Sequence, residues 1–215
     1  MKKRIMIVCA VFSILLLVTT KISFGRNHPL TEYDLLQKEV ANTFTDEELD
    51  KDMFIGKEIS ITKREFLQTR NMFLANGYSE EEAIQATEKE LKEYNALCAE
   101  ALKNGYQVTD EEIDRYLEEL KKMTETAENA EDIKQYIKTF GSEEAFWSEM
   151  KNVYRKRRPA ELFVKDLEKE FAQKSGLAQG TEAFYEKWEK EFEIIKSNAV
   201  KAQAFQPADS GAKNE

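Results

Sequence analysis

A chain of 215 residues in which 34% are charged, with eight glycines and three prolines, has too few breakers for a sheet-rich fold and favours long amphipathic helices. Its 41% hydrophobic content, including thirteen Phe and eight Tyr, excludes wholesale disorder. A formal charge of −9 argues against a nucleic-acid partner, because phosphate binding needs a basic face.

The N-terminus differs from the rest. Lys2, Lys3 and Arg4 precede an uncharged run from Ile5 to Thr20, the order found in export signals and signal anchors. As a helix this run reaches about 24 Å, short of a hydrocarbon core of about 30 Å. Continuing to Phe24, with Lys21 snorkelling, closes the gap. Ser23 and Gly25 also make a small-x-small cleavage site. Residues 1–25 therefore read as a signal anchor or a signal peptide, the anchor being slightly favoured. Either way residues 26–215 are expected outside the cytoplasm: single-pass at the cell membrane through residues 5–24 if uncleaved, secreted if cleaved. They hold 28 basic against 41 acidic residues, a net charge of −13.

Residues 26–52 read as a juxtamembrane helical segment. Thr31 to Phe44 is weakly amphipathic, with Tyr33, Leu36 and Val40 on one side. Four capping boxes follow in the chain: Thr45/Glu48, Thr62/Glu65, Ser79/Glu82 and Thr109/Glu112. In each, the two side chains satisfy free N–H groups at a helix start. Gly77, Gly105, Gly141 and Gly176 fall where helices should stop. Met53 to Ile61 is β-rich with Gly56 inside it, and reads as one very short hairpin or an extended loop.

Apolar residues then recur at helical spacing. Ile84, Leu91, Tyr94, Cys98 and Ala101 form one stripe, widened by Leu97 and Leu102. Ile113, Tyr116, Leu117, Leu120 and Met123 form the next. Ile133, Tyr136, Ile137 and Phe140 form a third. A fourth runs from Phe146, Trp147, Met150, Val153 and Tyr154 to Leu162, Phe163, Leu167 and Phe171. Pro159 should kink or break this last helix. Residues 176–180, G-L-A-Q-G, are a linker to a closing helix over 181–205 with Phe184, Trp188, Phe192 and Ile195. Residues 206–215 are polar and read as a disordered tail.

Catalytic chemistry is scarce. His28 is the sole histidine, and Cys98 is the sole cysteine beyond the hydrophobic run. Ordinary zinc and copper ligand sets cannot be assembled from these, and no triad motif or phosphate-binding glycine loop is present. The acidic clusters at Asp46–Glu48, Glu80–Glu82 and Asp110–Glu112 fall in first helical turns, where they offset the macrodipole. A carboxylate-only hydrolase would need two carboxyl groups about 5–10 Å apart across a cleft. The expectation is a protein that is not an enzyme and uses no cofactor or metal. Arg155, Lys156, Arg157 and Arg158 read first as a solvated face paired with the chain's own carboxylates. Contact with anionic headgroups or an acidic client is the alternative.

Large aromatic side chains recur on the apolar faces. Most read as core. A groove between such helices, lined by aromatics and Met, also suits varied apolar segments, because such contacts are non-directional and Met is adaptable. The candidate client-binding residues are Phe66, Phe73, Tyr94, Tyr136, Phe140, Phe146, Trp147, Met150 and Tyr154.

Three phrases stand in a suggestive order: I-G-K-E-I-S-I-T-K-R-E-F at 55–66, N-G-Y-Q-V-T-D-E-E-I-D at 104–114, and F-G-S-E-E-A-F-W at 140–147. Together they resemble the N-terminal chaperone domain of SurA/PrsA-type extracytoplasmic foldases over roughly residues 53–172. Two features depart from the family. Ile55 replaces the Asn of its V-N-G opening. The 176–180 linker leaves no space for the parvulin isomerase domain, of about 90–100 residues, that full-length members commonly carry. The resemblance implies an all-α, SurA N-terminal-like peptide-binding domain over 53–205, with at most one short hairpin, completed by the 181–205 helix. It also implies ATP-independent binding of unfolded or partly folded exported proteins without isomerase activity. A membrane-anchored adaptor for one fixed protein partner, or a homodimer, remains the alternative.

Overall fold

The computed structural model describes residues 29–127, 130–138 and 140–208. The expected export segment, His28, and residues 209–215 of the expected tail lie outside these. Among the described residues there are eight helices and one three-stranded sheet, so the largely helical expectation holds. No described helix is long and apolar enough to cross a membrane.

The chain forms two compact units. One takes residues 29–99 with 195–208; the other takes 100–194. The expected 53–205 span runs through both units. Val40 of helix α1 (Pro29–Thr43), Phe44 just after it and Leu49 of α2 (Asp46–Leu49) pack with Leu67. These residues of the expected juxtamembrane segment thus belong to the unit's core.

In this first unit, β1 (Asp52–Ile55) pairs antiparallel with β2 (Ser60–Thr62), matching Phe54 to Ile61 and Ile55 to Ser60. Thr62 ends the strand and caps α3 (Lys63–Ala75): its hydroxyl accepts from the Glu65 N–H at 3.2 Å, while Glu65 Oε2 accepts from the Thr62 N–H at 2.9 Å. All four expected capping boxes form. Helix α4 (Glu80–Lys103) supplies Leu91 to a core with Phe54, Ile61 and Phe66. Helix α8 (Glu182–Gln203) ends in this unit and is followed by β3 (Gln206–Pro207), which pairs with Ile55 and Phe54 of β1. The hairpin therefore becomes a sheet of order β2-β1-β3. Gln206 and Pro207 form a strand instead of opening a disordered tail, because β1 offers them free main-chain groups.

The second unit is helical. The chain leaves α4 at Gly105, where the Tyr106 N–H donates to the Ala101 carbonyl and the Gly105 N–H to the Leu102 carbonyl, both at 3.0 Å. Gly105 has φ +81, the left-handed turn this termination requires. Helices α5 (Asp110–Thr126), α6 (Ala130–Lys138) and α7 (Glu143–Ser175) enclose Ile113, Leu117, Leu120, Phe146, Met150 and Tyr154. Pro159 does not break α7, which runs unbroken for 33 residues. Pro159 and its neighbours Ala160 and Glu161 are buried, and that packing holds the helix across the missing N–H. Phe171 of α7 meets Phe184 edge-on and Trp188 at a tilt, both on α8, with centroids at 5.7 and 5.5 Å.

The helical stripes are rotated in places. Ile84, Leu102 and Met123 are exposed at 39%, 53% and 47%. In the first unit, the covered face of α4 keeps Leu91, Leu97 and Cys98 of the expected stripe and adds Ala83, Thr87 and Asn95. The three added residues are buried without being strongly apolar.

Candidate functional site

The nine candidate client-binding residues divide between the two units. In the first, Phe66 is buried beside Phe54, ring centroids 6.1 Å apart. Phe73 and Tyr94 are half-buried. The Phe73 ring meets that of Tyr78 edge-on at 5.1 Å, and Tyr78 is 46% exposed. In the second unit, Phe146, Met150 and Tyr154 are buried. Tyr136, Phe140 and Trp147 are half-buried and set edge-on around Phe146, at 6.2, 5.1 and 5.0 Å.

Phe66, Phe146, Met150 and Tyr154 therefore hold the cores and offer no surface to a client. Helical spacing identifies the apolar side of a helix but not the part its neighbours cover. The open candidates are Phe73, Tyr94, Tyr136, Phe140 and Trp147. The Trp147 ring also has a polar anchor. Its Nε1 donates to Glu143 Oε1 at 3.3 Å, and Lys121 Nζ approaches the same oxygen at 2.8 Å. Lys121, first by hydrogen bonding and then by charge, holds the Glu143 carboxyl below its usual range.

The basic run is largely engaged within its own unit. Arg155 donates to both carboxylate oxygens of Asp110, at 2.9 and 2.8 Å, a fork that fixes α7 against the start of α5. It keeps the Asp110 carboxyl below the usual range. Lys151 pairs with Asp114 one turn along. Arg158 lies 4.1 Å over the Tyr116 ring and donates to Glu161 Oε2 at 2.9 Å.

Glu161 is 7% exposed. Burial raises its carboxyl pKa against the opposing pull of Arg158. Burial, then the Glu161 charge, pushes the Tyr154 phenol up to about 12 and raises that of Tyr116 as well. Above this group Val108, Glu112, Arg115, Tyr116, Glu119, Arg158 and Leu162 line a cleft of about 160 Å³. A buried carboxyl beside a guanidinium and two phenols can hold or release one proton. Glu161 does not line the cleft. Arg158 pairs with Glu161 within α7 and lies over the Tyr116 ring of α5, so the group fastens α5 to α7. Sequence reading missed Glu161, since a lone Glu after Pro159 carries no signal of burial.

The other missed feature is the end of α8. Gln203 is 1% exposed. Its Oε1 accepts from the Glu58 N–H at 3.0 Å, its Nε2 donates to Glu58 Oε2 at 3.0 Å, and its carbonyl accepts from the Lys57 N–H at 2.9 Å. Phe205 packs on the hairpin core. A Cβ on Gly56 would lie 2.7 Å from its ring, so the turn needs glycine for this approach.

Among the described residues no group of three His, Cys, Asp or Glu side chains is placed to hold a metal ion. No protein-family model, no curated protein and no solved structure matches the chain.

Proposed function

We propose that residues 26–215 act outside the cytoplasm as an ATP-independent chaperone-like domain that binds unfolded exported polypeptides and has no isomerase activity. The observation that carries this is the half-open aromatic rim of the second unit, where Tyr136, Phe140 and Trp147 surround the buried Phe146. Rings held this way present apolar area at little entropic cost. The surrounding acidic charge keeps such a surface soluble. The reading also follows from the SurA/PrsA resemblance of the 55–66, 104–114 and 140–147 phrases. Weak contacts at several places allow release without nucleotide.

A second reading is a membrane-anchored adaptor for one fixed partner. Its support is that Phe66, Phe146, Met150 and Tyr154 are buried, while the exposed large apolar residues Leu35, Ile55, Tyr78, Ile84, Leu102, Met123 and Ile194 stand on different elements. Scattered exposed apolars are ordinary for a closed monomer.

The two separate by fluorescence. Trp188 is 4% exposed and Trp147 half-buried, so emission changes on binding report Trp147. Titration with a carboxymethylated, permanently unfolded polypeptide is expected to shift the emission to shorter wavelength, and Trp147→Phe removes the shift. An unchanged spectrum with several unrelated unfolded polypeptides favours the adaptor.

A further inference from the structure

The sheet edge of the first unit is closed by very little. β3 has two residues, both exposed, and pairs only with Phe54 and Ile55. Among the described residues, Asp52 and Met53 of β1 are not paired with β3. Pro207 brings no N–H to the ladder. The link from α8 to β3 passes through Ala204 at φ +48, a conformation that costs a residue with a Cβ. The side-chain clasp at Gln203 lies before this point, and the Phe205 ring and the two-residue ladder lie after it. Under Phe205 the hairpin turn presents Gly56, with no Cβ, a flat seat for one ring.

We infer that this edge of β1 is where the protein holds an extended segment of client chain bearing an aromatic side chain, which displaces residues 205–207. The inference rests on the chaperone reading and adds to the aromatic rim of the second unit a further site, on the first. The chain's own A-F-Q-P segment shows what fits: main-chain groups against β1 and one ring against Gly56. Main-chain pairing is indifferent to sequence, as a client site requires. An incoming strand can take the same pairs at Phe54 and Ile55 and extend toward Asp52, past the register shift between Asp52 and Phe54. Gln203 stays in place through the exchange, so the unit remains closed while its edge is open. Release of Ala204 from its left-handed turn assists the displacement.

The test is a reversible lock in the full chain. Ile55→Cys with Gln206→Cys places thiols at paired, exposed positions, so oxidation ties the strap to β1. The probes are a labelled A-Q-A-F-Q-P-A peptide, the same peptide with Phe replaced by Ala, and a carboxymethylated unfolded polypeptide. The reduced protein is expected to bind the first peptide and the polypeptide. Oxidation is expected to weaken both by about tenfold or more, reduction to restore them, and the Ala peptide to bind about tenfold more weakly. Phe205→Ala, which loosens the strap without altering β1, is expected to raise peptide affinity several-fold. If locked and reduced proteins bind the polypeptide equally, or Phe205→Ala leaves peptide affinity unchanged, the edge is not the site, although the chaperone reading survives. If the reduced protein binds neither peptide nor polypeptide, both are wrong.

Discussion

Replacing Gln203 with Ala removes the clasp between the end of α8 and the hairpin, whose partners lie 145 residues apart in the chain. The Glu58 N–H loses its acceptor, and a partly buried donor left unpaired costs about 1–3 kcal/mol. The Nε2 bond to the Glu58 carboxylate adds at most about 1 kcal/mol, because that carboxylate is on an exposed residue and solvent screens the pair. The expected loss is about 1–4 kcal/mol, a fall in Tm of about 2–16 °C for a chain of this size. Trp147 and Trp188 both lie in the second unit, so tryptophan fluorescence can miss the change. Urea unfolding followed by circular dichroism, with hydrogen exchange at β1, reports on the right unit. Gln203→Glu, which keeps the size but sets a second carboxylate beside Glu58, is expected to be at least as damaging at neutral pH. A loss below about 0.5 kcal/mol for the Ala variant, the scatter usual for surface changes, would refute the clasp.

Three further outcomes follow from particular contacts. Gly56→Ala would place a Cβ 2.7 Å from the Phe205 ring and 2.8 Å from the Ile59 carbonyl oxygen; a loss of about 1–3 kcal/mol is expected in urea unfolding, and a neutral result would mean that Phe205 does not rest on the turn. Burial raises the folded-state pKa of Glu161 above its unfolded value near 4.5. The charged carboxylate therefore destabilises the fold above the folded-state pKa, and that effect disappears as pH falls through it. Glu161→Gln is expected to be at least as stable as the parent at neutral pH, with its advantage shrinking toward pH 4.5; parallel pH profiles for the two proteins would contradict this. Pro159→Ala restores a helical N–H at a helix-interior cost of about 3 kcal/mol in the parent, against about 0.8 kcal/mol for each buried methylene removed. A net gain of about 1 kcal/mol is expected in thermal unfolding, and a clear loss would show that the proline ring is needed in the core.

Local chemistry was legible in the sequence wherever a few neighbouring residues decide the outcome. The four capping boxes, the hairpin around Gly56 and the stops at Gly77, Gly105, Gly141 and Gly176 all depend on side chains within five positions of one another. The covered face of α4 was less legible, because Ala83, Thr87 and Asn95 are buried without being strongly apolar, while the more hydrophobic Ile84 and Leu102 point outward. Pro159 misled for a related reason: a local rule predicts a break, and burial of the surrounding residues overrides it. The third strand was out of reach of local reasoning. Gln203 and Phe205 acquire their roles from Gly56, Lys57 and Glu58, and no periodicity links segments so far apart. Of the candidate site, the aromatic residue types were legible but their exposure was not, since Phe146 and Trp147 are adjacent and only one is fully covered.

The most direct test of the chaperone proposal is aggregation suppression by residues 26–215. An aggregation-prone protein is diluted from denaturant without ATP, beside an inert acidic protein of similar charge. The account predicts suppression near one-to-one stoichiometry that weakens when Phe140 and Trp147 are made polar in a variant shown by circular dichroism to remain folded. Light scattering no lower than with the acidic control, across several unrelated clients, would contradict it and leave the fixed-partner adaptor as the function.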